Sequence, residues 1–145
     1  MTDNRHGTLV ILDTRGVLIT GASGTGKSAF ALDLVDHWTL QGRFAVLVGD
    51  DRVLCRRTES GRVIGRAPDP IAGMIEVRGF GIRPVRHEAE AVIDLVVDLV
   101  PPGEIARMPQ RLVLGGIEHI AAPAGQMLPA RQLVAAALER LELGV

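Results

Sequence analysis

The sequence predicts an α/β fold with a mixed β-sheet, and three observations point to it. Apolar residues make up 47% of the chain and fall mostly in short, β-branched runs through the first hundred positions. A glycine-rich segment interrupts these runs and is followed by apolar residues at helical spacing, giving the order strand, glycine loop, helix, strand. A second helical pattern closes the carboxyl end. With 145 residues, the chain has the length of one domain and enough apolar content to bury a core. A single domain over residues 1–145 is therefore expected.

Taken in order, residues 9–12 and 17–20 are apolar and β-branched, and Asp13-Thr14-Arg15-Gly16 between them reads as a hairpin turn. Over residues 28–38, Ala31, Leu34, Val35 and Trp38 recur at helical spacing, and the helix ends near Gln41-Gly42. Residues 45–48 form a buried strand that stops at Gly49-Asp50-Asp51. Two acids thus stand at the carboxyl end of an apolar run, where the sites of open α/β sheets collect. Residues 52–57 and 62–66 read as strands joined at Glu59-Ser60-Gly61, and residues 67–73 as a proline-marked loop. Residues 74–78 and 91–100 are further strands, after which Pro101-Pro102-Gly103 breaks the chain. Residues 111–120 fit either strand or helix. Residues 131–143 carry Leu133, Ala137, Leu138 and Leu141 on one helical face.

Composition removes several function classes. Sixteen basic residues balance seventeen acidic ones, so no chain-wide basic field draws the protein to nucleic acid or an anionic membrane. Aromatics are 3% of the chain and tyrosine is absent, which leaves few stacking platforms for single-stranded nucleic acid. Cys55 is the only cysteine, which excludes an internal disulfide framework and a multi-cysteine zinc site. It reads as a core residue. No run approaches the ~18 apolar residues of a membrane span, and the amino end lacks the apolar stretch of a secretion signal. A cytoplasmic protein is expected.

Gly21-Ala22-Ser23-Gly24-Thr25-Gly26-Lys27-Ser28 satisfies G-x-x-x-x-G-K-[ST] at every fixed position. Glycines at this spacing let main-chain N–H groups curl around a phosphate, and the following helix adds its positive end. Lys27 is the one lysine among sixteen basic residues. It falls where a flexible ammonium serves better than a guanidinium fork. Lys27 is expected to reach the outer phosphates and the Ser28 hydroxyl to hold Mg²⁺. Asp50 and Asp51, on the next strand, are candidates for ordering that cation and for accepting a proton from the attacking group. The loop is expected at the edge of the sheet, with the terminal helix closing one side.

Three segments together carry a resemblance. HGTLVILDTRGVLITGASGTGKS, LVGDDRV and APDPIAGMIEVRGFGI resemble the catalytic domain of the HPr kinase/phosphorylases, serine kinases of the phosphotransferase carrier protein HPr. The likeness covers roughly residues 5 to 100, and IEVRGFGI is its most specific part. It implies a phosphate-loop fold of the phosphoenolpyruvate carboxykinase type, with ATP and Mg²⁺ as cofactors, an HPr-like protein as substrate and a hexameric homo-oligomer. By the same resemblance, His6 belongs to the active site and Lys27 and Ser28 are the phosphate-loop lysine and magnesium serine. Asp51 is the proton acceptor with Asp50 as its electrostatic or metal partner, Glu76 is a second magnesium ligand, and Arg78 lies in the signature segment.

If residues 74–78 form a strand, Glu76 and Arg78 share a face, pairing a carboxylate for metal with a guanidinium for phosphoryl oxygen. Gly79 and Gly81 supply freedom for a loop that closes on a partner, and Arg83, Arg86 and His87 form a candidate basic patch. Two departures stand out: the family's amino-terminal domain is not represented, and no Pro-Val-Arg-Pro-Gly-Arg-like loop follows. The nearest arginines are Arg111 and Arg131. Kinase activity with weak or no phosphorylase activity is therefore expected. The residues alone equally admit a kinase of a small hydroxylated metabolite or a nucleotide-sensing module.

Overall fold

The structure, a computed structural model, describes residues 2–144. Its elements are β1 (Thr2–His6), β2 (Thr8–Leu12), β3 (Arg15–Gly21), α1 (Lys27–Leu40), β4 (Ala45–Gly49), β5 (Arg52–Arg57), β6 (Val63–Arg66), β7 (Met74–Val77), β8 (Gly81–Pro84), β9 (Glu90–Val100), β10 (Leu112–Leu114), β11 (Ile117–Pro123) and α2 (Met127–Leu143). Nine strands join in one mixed sheet ordered β1-β5-β6-β9-β3-β2-β4, with β11 on β9 and β10 on β11. β3, β9 and β11 run parallel, while β2 pairs antiparallel with β3 and β4. β7 and β8 form a separate hairpin.

Strand alternation explains the two cores. Val10, Leu12, Val17, Ile19, Leu95, Val97 and Leu99 face the helices and pack with Phe30, Ala31, Leu34 and Trp38 of α1 and Ala130, Val134, Ala137 and Leu138 of α2. Leu9, Leu18 and Val96 face the other way and meet Val53 and Cys55 of β5, and Ile93 joins them because the β3–β9 register shifts by one residue between Ile93 and Leu95. Burial pushes the Cys55 thiol above its ordinary range. Val17, Leu18 and Ile19 are all buried, so β3 is covered on both faces, by the helices on one and by β5 on the other, and it pairs with β2 and β9 along its two edges. With β3 between β2 and β9 in the strand order, the phosphate loop leaves the interior of the sheet and not its edge as expected.

Other differences have local causes. β1 was not expected, since TDNRH has no apolar alternation; it is an exposed strand recruited by main-chain pairing to β5. Residues 111–120 resolve into β10 and the start of β11. α2 begins at Met127 because Pro129 lies in the first turn, where its missing N–H breaks no helical bond. Leu133 turns outward, and Val134 takes the buried place beside Ala130, Ala137 and Leu138.

Candidate functional site: a phosphate loop facing two aspartates

β3 runs into the loop of residues 21–26, and α1 starts at Lys27. The backbone favours glycine at positions 21, 24 and 26, all of positive φ. Gly21 has φ 147°, and a Cβ there would meet Thr25 Oγ1 at 2.8 Å and the Leu99 carbonyl at 2.9 Å. Gly26 caps α1 in the left-handed region, φ 88°. The helix has no side-chain cap and no acid in its first turn, which leaves its positive end facing the loop. Thr25 Oγ1 donates to the Ala22 carbonyl at 2.8 Å and fastens the curl. Lys27 is 8% exposed, and its Nζ donates to the Gly21 and Ala22 carbonyls at 3.0 and 3.2 Å. The ammonium therefore lies against the inside of the curl.

The two aspartates after β4 diverge. Asp50 is 6% exposed. Its Oδ1 accepts from Ser28 Oγ at 2.6 Å and from Thr8 Oγ1 at 2.9 Å, and its Oδ2 accepts from the Glu76 main-chain N–H at 3.0 Å. One carboxylate thus fastens the loop serine, β2 and the β7 strand together. The Asp51 side chain is 66% exposed. Its φ of 66° and the 2.7 Å bond from Arg52 N–H to the Asp50 carbonyl describe a three-residue γ-turn, a rare and strained conformation. The Gly7 N–H holds the turn by donating to the Asp51 carbonyl at 3.0 Å. His6 Nε2 lies 2.8 Å from Asp51 Oδ1.

The register of β1 explains that last contact. His6 pairs with Arg52 at the end of the β1–β5 ladder, which sets the imidazole beside the residue preceding β5. The unexpected strand is therefore what brings the amino-terminal histidine to the site. Glu76 also arrives through its backbone, with its side chain exposed. Arg78 differs from expectation: β7 ends at Val77, so Arg78 opens the turn to β8, and strand alternation does not fix it on the face of Glu76. The turn uses Gly79 at φ 83°. In the candidate basic patch, Arg86 is occupied, donating to the Ala45 carbonyl at 3.3 Å and covering the Phe44 ring.

Arg111 and Arg131 are held elsewhere. Arg111 pairs with the buried Glu118 at 3.1 Å, and Arg131 ties α2 to α1 through Asp33 at 3.1 Å. The residue that sequence reasoning missed is Thr8, since a threonine opening an apolar strand reads as a β-former. Its place two residues beyond the matched histidine was the available signal.

The side-chain atoms at Asp50 able to ligate a cation, its own carboxylate and the Ser28 and Thr8 hydroxyls, are all oxygen and suit a hard cation. Among the described residues no three His, Cys, Asp or Glu side chains cluster as a cation cage. A cation here would complete its shell with nucleotide phosphates and water, as Mg²⁺ does. Chemically, the site offers a curled glycine loop with a buried ammonium, joined through Ser28 to Asp50, next to which stands an exposed carboxylate paired to an imidazole.

The sequence matches the family model for the HPr Serine kinase C-terminal domain over residues 1–109. It is 43% identical over 103 residues to the HPr kinase/phosphorylase of Caldicellulosiruptor bescii, covering 66% of this chain and 31% of that protein. It is 48% identical over 77 residues to the HPr kinase/phosphorylase of Halalkalibacterium halodurans, covering 53% and 23%. The chain thus spans less than a third of the length of these relatives. The structure of the HPr(Ser) kinase/phosphatase from Coxiella burnetii superimposes with a TM-score of 0.78 over 98% of this chain and 92% of that chain, at 23% identity, and shows the same fold. No helix among the described residues is long and apolar enough to cross a membrane. With a match over most of its length, the chain belongs to the HPr serine kinase C-terminal domain family.

Proposed function

We propose that the chain is an ATP-dependent kinase that phosphorylates a serine of an HPr-like carrier protein, acting as one catalytic unit over residues 1–145. The observation that carries this reading is the joining of Ser28 of the phosphate loop to Asp50, 2.6 Å apart, with exposed Asp51 next in the chain. A nucleotide tail and an incoming hydroxyl can then meet between a buried and an exposed carboxylate.

In this reading the main-chain N–H groups of residues 21–28 bind the phosphates. Lys27 exchanges its two carbonyl contacts for phosphate oxygens and neutralises charge that grows on them. Ser28 and Glu76 hold Mg²⁺, with Asp50 aligning both. The cation supplies charge neutralisation across the outer phosphates when bound. Asp51 accepts the seryl proton, the seryl oxygen forms a bond to the γ-phosphorus, and the bridging bond to the β-phosphate breaks to release ADP. His6, 2.8 Å from Asp51, orients that carboxylate. Arg78 meets phosphoryl oxygen from the β7–β8 turn.

The exposure of the Asp51 and His6 side chains, 66% and 51%, suits a folded protein as acceptor better than a small metabolite that must be enclosed. The ion pairs of Arg111 and Arg131 include no residue of the site, which supports weak or no phosphorylase activity. A homo-oligomer belongs to the same reading, since β10 exposes Leu112, Val113 and Leu114 along an edge strand.

Incubation with labelled ATP, Mg²⁺ and either purified HPr or a metabolite extract tests the proposal. Phosphoserine on HPr is expected. Label on a metabolite, or nucleotide binding with no transfer, would contradict it.

A further inference from the structure

We infer that Thr8 is a positioning residue for the cation end of the phosphate site, acting through Asp50. The inference rests on the nucleotide-binding reading above. Thr8 is wholly buried, and its hydroxyl donates to the Asp50 oxygen that also accepts from Ser28. A carboxylate offers about four lone-pair positions. Three are filled, by Thr8, Ser28 and the Glu76 N–H. Because Thr8 and Ser28 converge on Oδ1 while Glu76 holds Oδ2, rotation of the carboxylate would break all three bonds. The remaining position, on Oδ2, is the one left for a cation or its water.

Packing does not account for the hydroxyl. By strand alternation Thr8 shares a face with Val10 and Leu12, both in the apolar core beneath the helices, and its ladder partner is Ile19. A valine would fill the same space. What the hydroxyl adds is the bond to Asp50, and burial makes that bond costly to lose. The preceding residue works toward the same end. A Cβ on Gly7 would meet the Ile19 carbonyl at 2.8 Å, so only glycine lets the chain lie close enough to β3 for its N–H to hold Asp51. Residues 6–8 therefore grip both aspartates: His6 and Gly7 hold Asp51, and Thr8 holds Asp50.

Thr8→Val keeps the shape and removes the donor. In calorimetry of ADP binding, the Mg²⁺ concentration giving half-maximal binding should rise roughly tenfold in Thr8→Val and return to the wild-type value in Thr8→Ser. Affinity measured without Mg²⁺ should stay unchanged in both, whereas a merely structural role would shift both affinities together. An unchanged Mg²⁺ dependence in Thr8→Val, or no recovery in Thr8→Ser, overturns the inference. If Thr8→Val does not fold, Thr8→Ala carries the same expectation and the same contradiction. The kinase reading fails separately: a wild-type chain that binds ADP with Mg²⁺ but transfers nothing to HPr sinks that reading and leaves the role of Thr8 standing. A wild-type chain that binds no nucleotide overturns both.

Discussion

The half of the site around Asp50 is buried and cross-linked, whereas the half around Asp51 is open to solvent and rests on His6 and a strained turn. Asp50 accepts from three different elements of the chain. Asp51 holds a left-handed backbone and a mostly exposed side chain. Two residues adjacent in sequence thus have opposite environments. The buried half is fixed by the chain's own hydrogen bonds, which suits the proposed role of a nucleotide cradle that acts by positioning. The open half leaves room for an acceptor too large to be enclosed.

Substitutions can break or sharpen this contrast, and the largest effect on stability and nucleotide binding belongs to the buried half. Asp50→Ala leaves the Thr8 hydroxyl in the core without its acceptor and unties Ser28 from β7. The expected cost is about 1–3 kcal/mol of stability, read as a lower melting temperature, together with loss of Mg²⁺-dependent nucleotide binding. Unaltered binding would show that Asp50 does not organise the loop. Next comes Glu76→Gln, whose side chain is exposed while its backbone supports Asp50. The backbone bond survives this change, so the fold should be intact and the Mg²⁺ needed for half-maximal transfer should rise roughly tenfold. An unchanged magnesium titration would remove Glu76 from the cation site. The smallest effect is expected outside both halves. Arg131→Met breaks the ion pair with Asp33, should cost roughly 1 kcal/mol or less in thermal unfolding and should leave phosphate transfer unchanged. A loss of transfer would place Arg131 in the mechanism.

The same contrast separates what was legible in the sequence from what was not. The phosphate loop was legible because its glycines are demanded by backbone geometry at fixed spacing, α1 because its apolar residues recur at helical spacing, and β2, β3 and β4 because they are short continuous apolar runs, nearly all buried. The open half was harder to read. β1 is polar and held by main-chain pairing, which leaves no side-chain pattern, so the histidine could be placed only by resemblance. β8, Gly81–Pro84, is likewise exposed along its length and carries no alternation. The sequence pattern extends the β7 strand to Arg78, because nothing in the apolar run signals that the turn begins one residue early. On α2, the helical spacing puts Leu133 on the core face although Val134 fills it, since an alanine-rich helix leaves its buried face weakly marked. The bonds that join Ser28, Asp50 and Thr8 span 22 and 42 residues, a distance that local pattern does not reach.

The central claim is that binding and proton transfer are divided between the two halves, and Asp51→Asn tests it most directly. Asparagine tolerates the left-handed backbone that Asp51 adopts, so the variant should fold. Calorimetry with ATP and Mg²⁺, run beside mass spectrometry of HPr, should show wild-type affinity with phosphoserine formation reduced roughly 10²–10⁴-fold. Phosphoserine formed at the wild-type rate, or affinity lost together with transfer, would contradict the division.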